Sequence, residues 1–126
     1  HETLEEFALK QDVQRGSLLV LGGADEGSRL VVGPEGTGRD DPVRPMEHRL
    51  EGVHEIAGVG TLFPDASGRP VLHMHIAGGR GNGAVTGCVR RGVRVWRVME
   101  VILYELTGSA SRREKDRSTG FELLSP

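Results

Sequence analysis

Two histidines two residues apart, His73 and His75, and the only cysteine of the chain, Cys88, are the side chains best suited to carry chemistry. In an extended segment alternate side chains share a face, so the two imidazoles of VLHMHIA stand side by side with Met74 turned away. A symmetric hairpin centred in GGRGNG (78–83) pairs position 73 with 88 and position 75 with 86, which sets Cys88 across from His73. Two imidazoles and one sulfur then converge within reach of a single Zn²⁺ or another divalent transition metal, and a fourth position is left for water or a further residue. An open position is what metal catalysis requires. The competing, structural role has the histidines hydrogen-bonding at a subunit interface while Cys88 packs as a small hydrophobe.

Other residues could join or serve such a site. His54 is a candidate further ligand or base, with His48 behind it; His1 is terminal and is set aside. Glu100 falls in the alternation Trp96, Val98, Glu100, Ile102, Tyr104, a carboxylate on an otherwise apolar face. Burial of a carboxylate is costly unless it is paired, so Glu100 is either a base with a raised pKa or the partner of Arg94, Arg97 or an arginine from another subunit. Arg90, Arg91 and Arg94 form a candidate basic patch for an anionic partner. The glycines of GGRGNG lead into a strand, whereas phosphate cradles lead into a helix, so this run is a hairpin turn. Gly68-Arg69-Pro70 has the core of a minor-groove hook but lacks the flanking basic residues, and is also a turn.

The elements that must position these residues are mostly strands. Leu4, Phe7 and Ala8 at spacings of three and four, among early glutamates, predict a helix over 2–14 that stops at Gly16. SLLVLGG (17–23) predicts a buried strand, and RLVVG (29–33), after the turn signal ADEGS, its hairpin partner. PEGTGRDDPVRP (34–45) predicts a loop. A long strand is expected from His48 to Leu62, with a bulge or a close backbone approach at Gly58 and Gly60. FPDASGRP (63–70) is a turn, followed by strands at 71–77, 84–89 and 93–106, a polar loop over 109–119 and a short closing strand at 120–124. The expected fold is α+β: one domain over 1–126, a mainly antiparallel central sheet with a helix on one face. Any apolar face left bare must be covered by residues 34–47 or by another subunit.

Composition fits one globular core, since 126 residues lie within the usual range of about 100–150 for a domain. Hydrophobic residues make up 37% and charged residues 27%, which argues against disorder. No run approaches the roughly 18 apolar residues of a membrane span, and HETLEEFALK is not a secretory leader, so the chain reads as cytoplasmic. One cysteine allows no intrachain disulfide and leaves a free thiol. The net charge of −2 is not that of a stand-alone nucleic-acid binder. Its distribution is uneven, with 6 basic and 13 acidic residues in 1–68 against 10 basic and 4 acidic in 69–117. Either the halves interleave and compensate, or the second half presents an arginine patch.

In order along the chain, TLEEFALKQDVQRGSLLVLGG (3–23), His54-Glu55-Ile56 through Gly60, PVLHMHIAGGRGNGAVTGCVRRG (70–92), VMEVILYELTG (98–108) and STGFELL (118–124) resemble the PPC family, the plants and prokaryotes conserved domain. The resemblance implies a central antiparallel sheet and a homotrimer. In plants the domain accompanies hooks for A·T-rich DNA in nuclear proteins; prokaryotic members usually consist of the domain alone, and some bind metal through histidines. His73 and His75 match the family's His-x-His, and Cys88 falls where the family has the histidine of Gly-Gly-His, with Thr86-Gly87 in place of Gly-Gly. The chain begins just before the helix, so an upstream strand common in the family is expected to be missing or to precede it. The resulting expectation is a trimeric metal- or ligand-binding module, regulatory or DNA-associated, with a metal-dependent enzyme for a small anionic metabolite as the alternative.

Overall fold

The computed structural model describes residues 1–36, 38 and 43–126; within the 34–45 loop, residues 37 and 39–42 lie outside the described residues. Helix α1 (Glu2–Lys10) carries Glu2 and Glu5 in its first turn and Lys10 in its last, charges that complement the helix dipole. It ends earlier than the apolar spacing predicts. Asp12 turns the backbone left-handed (φ 57°), and the Val13 amide closes onto the Ala8 carbonyl at 2.9 Å. Gly16 is therefore not the helix stop but the first residue of a strand. Ala8 is buried, whereas Phe7, expected on the same covered face, is half-exposed.

The strands are β1 (Gly16–Ala24), β2 (Arg29–Pro34), β3 (Pro45–Arg49), β4 (His54–Pro64), β5 (Pro70–Arg80), β6 (Gly83–Cys88), β7 (Val95–Glu105), β8 (Arg112–Lys115) and β9 (Glu122–Ser125). The first seven form one sheet in the order β3-β2-β6-β5-β4-β1-β7, and β8 and β9 form a separate hairpin. All adjacent strands run antiparallel. With one short helix, the architecture is the expected α+β type, richer in strand than in helix. No helix among the described residues is long and apolar enough to cross a membrane.

Three expectations from local sequence are corrected. RLVVG does not pair with SLLVLGG: both edges of β1 are taken along their length by β4 and β7, and β2 joins β3 and β6 near the opposite end of the sheet. The turn between β1 and β2 is fastened to distant segments instead, Asp25 N donating to Arg94 O and Gly27 N to Leu50 O. The long 48–62 strand is two strands, because Gly52 takes a left-handed φ of 73° and Leu50 turns into the core. Gly58 produces no bulge; the alternative, a close approach, holds, since a methyl there would stand 2.5 Å from Ile76 Cγ2 and 2.6 Å from the His75 carbonyl oxygen. The polar 109–119 segment contains β8, folded back by a turn in which Asp116 accepts bonds from Ser118 Oγ (2.6 Å), Thr119 Oγ1 (2.6 Å) and Thr119 N (2.8 Å).

The sheet has two unlike faces. Leu18, Val20, Ile56, Leu62, Leu72, Met74 and Ile76 point inward beneath α1 and pack with Ala8, Leu30, Leu50 and Val89. Full burial of each Leu or Ile contributes about 1.5–3 kcal/mol relative to exposure. The alternate residues, Leu19, Leu21, Val59, Ile102 and Tyr104, lie on the outer face and are exposed.

Candidate metal centre

Paired residues in a sheet share a face, so the outer face reads as rows across the strands. Ile102, Leu19, Val59, His75 and Cys88 make one row; Tyr104, Ser17, Thr61 and His73 make the next. His75 pairs with Cys88, not His73 as the symmetric turn predicts. The reason is the turn: β5 runs on through Arg80, which pairs with Gly83, so Gly81-Asn82 alone reverse the chain. The pairing slips by two positions. Because side chains alternate with a period of two, an even slip keeps Cys88 on the histidine face.

The three ligand atoms of His73, His75 and Cys88 lie within 4.8 Å of one another. The two Nε2 atoms are 3.1 Å apart, with the rings edge-to-face at 73°. Tetrahedral zinc, with Zn–N of about 2.0–2.1 Å and Zn–S of about 2.3 Å, spaces its donors by roughly 3.3–3.6 Å. The donor set fits such an ion after small side-chain movements, and no fourth His, Cys, Asp or Glu among the described residues belongs to the group. The histidines are exposed while Cys88 is buried. Burial, then the positive fields of His75, Arg113 and Arg90, hold His73 below the usual histidine pKa. A neutral imidazole is the form that ligates metal.

His54 lies elsewhere. It is on the inner face with Ile56, buried, and its Nδ1 donates to the Gly52 carbonyl at 3.0 Å, so the sheet separates it from His73 and His75. Glu100 shares the outer face, and a hollow with His75, but is not among the clustered donors. On β7 it pairs with Leu21 of β1, three strands from β5, and strand spacings of about 4.8 Å put its backbone at least roughly 14 Å from that of His75. Its expected burial is not found: Glu100 is exposed at a shallow apolar hollow of ≈ 500 Å³ with Leu19, Leu21, Val59 and Ile102, and no arginine is ion-paired with it among the described residues.

The three arginines of the candidate patch turn to different neighbours. Arg91 Nε meets Glu47 Oε1 at 2.9 Å, and Arg94 Nη2 donates to the Glu26 carbonyl at 2.6 Å. Arg90 instead borders a cavity of ≈ 350 Å³ whose floor carries His73, His75 and Cys88. Phe121 and Val43 form part of its walls. Arg113 was not singled out by the sequence reading, which placed it in a polar loop. Its Nη2 donates to Thr61 Oγ1 at 2.8 Å, beside His73, and its guanidinium lies 6.0 Å from the centre of the Phe63 ring. The turn signal Asp116 to Gly120 between two short segments could have revealed the β8–β9 hairpin. Nothing in the sequence marked Arg113 as buried.

An antiparallel α+β domain with a two-histidine, one-cysteine cluster on its outer face is the class that fold and site define. Residues 1–107 match the Plants and Prokaryotes Conserved (PCC) domain, and the chain belongs to that family. No curated protein matches the chain. Among solved structures, a PPC protein of Pyrococcus horikoshii is similar with a TM-score of 0.82 at 19% identity, covering 99% of this chain and 82% of that one. A metal-containing protein of Archaeoglobus fulgidus is similar at 0.77 and 21% identity over 99% and 84% of the two chains. A candidate DNA-binding protein of Bacteroides thetaiotaomicron is similar at 0.74 and 16% identity over 98% and 82%. At these identities the likeness is one of fold.

Proposed function

We propose that this chain is a self-associating metal- and ligand-binding module in which His73, His75 and Cys88 hold one divalent transition metal, zinc by the chemistry of the donors. The observation that carries the reading is the convergence of three donor atoms within 4.8 Å on the floor of a cavity. Mixed imidazole and thiolate ligation suits zinc. The metal-containing protein of Archaeoglobus fulgidus, which shares the fold, supports the same reading. When bound, the ion would supply a Lewis acid with an open position. The chain's own residues do the rest: His73 offers a neutral ring, Cys88 a buried sulfur, and Arg90 stands where an anion would enter.

The second half of the proposal is assembly into a homotrimer through the exposed apolar outer face, the state that the family resemblance implies. Residues 1–126 act as one domain in this reading, because Arg113 fastens the β8–β9 hairpin to Thr61 on β4. The reading carries a cytoplasmic location with it, where a lone thiol is kept reduced. Catalysis on a small anionic metabolite is the second reading, favoured by the open position and by Arg90. DNA association draws on two relatives called candidate DNA-binding proteins. The arginines lend it less support, since Arg91 and Arg94 are already engaged within the chain.

Elemental analysis of the purified, untagged protein tests the metal site, with about one ion per chain expected. Cys88→Ser should lower the metal content while the protein stays folded. Unchanged content in that variant would refute the ligand assignment.

A further inference from the structure

Metal ligation accounts for the floor of the ≈ 350 Å³ cavity but not for its walls. No carboxylate lines it among the described residues. Val31, Val43, Pro45 and Phe121 make its sides apolar, and Arg90, exposed and without an ion-pair partner among the described residues, brings a full positive charge to its edge. A second guanidinium, outside the cavity lining, lies at Thr61, the cross-strand partner of His73. Arg113 is only 6% exposed, and its Nε is buried with no hydrogen-bond partner among the described residues. Among the described residues, Glu122 is the carboxylate whose charge reaches it, without closing into an ion pair.

A guanidinium keeps its charge at any physiological pH, and burying it without an anion is costly. Thr61, which Arg113 grips, is the cross-strand partner of His73, and this holds the guanidinium over that same row. Two arginines lacking a full counter-charge among the described residues, beside apolar walls, call for an oxyanion with a hydrocarbon body.

We propose that the cavity binds a small organic carboxylate, its carboxylate drawn to Arg90 and to the Arg113 side of His73, its apolar body against Val31, Val43 and Phe121. Inorganic phosphate would satisfy the arginines but leave those walls unused. The proposal deepens the metal reading of the same site and rests on it only for the contact that the open ligand position provides.

The test is calorimetric titration of the full chain with benzoate, acetate and inorganic phosphate, in zinc-loaded and in chelator-treated protein. Benzoate should bind at least about tenfold more tightly than acetate or phosphate, since burying its ring adds an apolar term that the other two lack. Arg90→Met should weaken benzoate by about tenfold, the size of one lost charged hydrogen bond, without changing zinc content. Arg113→Lys, which keeps the charge but not the planar fork, should also weaken it, with a melting curve confirming the fold. No benzoate binding in either form, equal binding of phosphate, or an unaltered affinity in Arg90→Met overturns the proposal. Benzoate bound by a protein that takes up no zinc would sink the metal reading and leave this one standing; zinc bound without benzoate would do the reverse.

Discussion

His73 and His75 owe their convergence to the two-residue period of a strand, but Cys88 owes its place to a turn, and the two kinds of information differ in reach. The period follows from backbone geometry at the residues themselves. The turn depends on whether Gly78, Gly79 and Arg80 stay in the ladder, which the glycines do by pairing with β4 and β6 on either side and Arg80 by pairing with Gly83 of β6. Gly58 shows the same division. Its need for a small residue comes from Ile76 and from the carbonyl of His75, both on the neighbouring strand. Gly58→Ala should therefore destabilise the fold by about 1–3 kcal/mol through overpacking, read as a lower denaturant midpoint at constant slope. Because the clash includes the backbone of His75, the variant should also take up less metal. A variant of unchanged stability would mean that β4 and β5 are not held at this spacing.

At the scale of elements, the β8–β9 hairpin is the piece that acts on the site from outside the main sheet. Hydrogen bonds from Ser118, then Thr119, push the Asp116 carboxyl down to about 2. A depressed carboxyl stabilises the folded turn fully above its unfolded pKa of about 3.9 and loses that stabilisation as pH falls through the folded value. Acidification from about pH 4 to 2 should accordingly loosen the hairpin before the main sheet, seen as lower exchange protection of the Asp116 amide, which donates to the Phe121 carbonyl at 2.8 Å. Asp116→Ala should show the loosened hairpin already at neutral pH. Protection of the Asp116 amide that is independent of pH over this range would argue that the Asp116 carboxylate does not hold the turn.

The whole molecule is defined by the inequality of its two sheet faces. α1 and the crossing segments bury the inner face, whereas Val59 is 61%, Tyr104 55% and Leu21 53% exposed on the outer one. An apolar surface of this kind is what the proposed assembly would bury. Val59 lies at the centre, flanked by Leu19 on one strand and His75 on the next. Val59→Glu should convert an assembled protein to monomer in light scattering while leaving the fold intact, because a charge desolvated in an apolar interface is costly. Assembly that survives the change would put the interface on another surface. The acidic first half and basic second half also meet here: in the sheet, β3 and β2 come from the first, β6 and β5 from the second, β4 and β1 from the first and β7 from the second. The charges interleave, as in the Arg91 and Glu47 pair.

Strand periodicity, a helix-forming start and the order of short motifs were legible in the sequence because each depends on neighbours a few residues away. They sufficed for the antiparallel α+β class, the family and the common face of His73, His75 and Cys88. The partner strands of β1, the break at Gly52, the slip of the β5–β6 pairing, the inner-face position of His54 and the buried Arg113 were decided only in the tertiary structure. Each of those depends on which edge of the sheet is still free when a distant segment arrives, and that competition is settled between residues far apart in the chain.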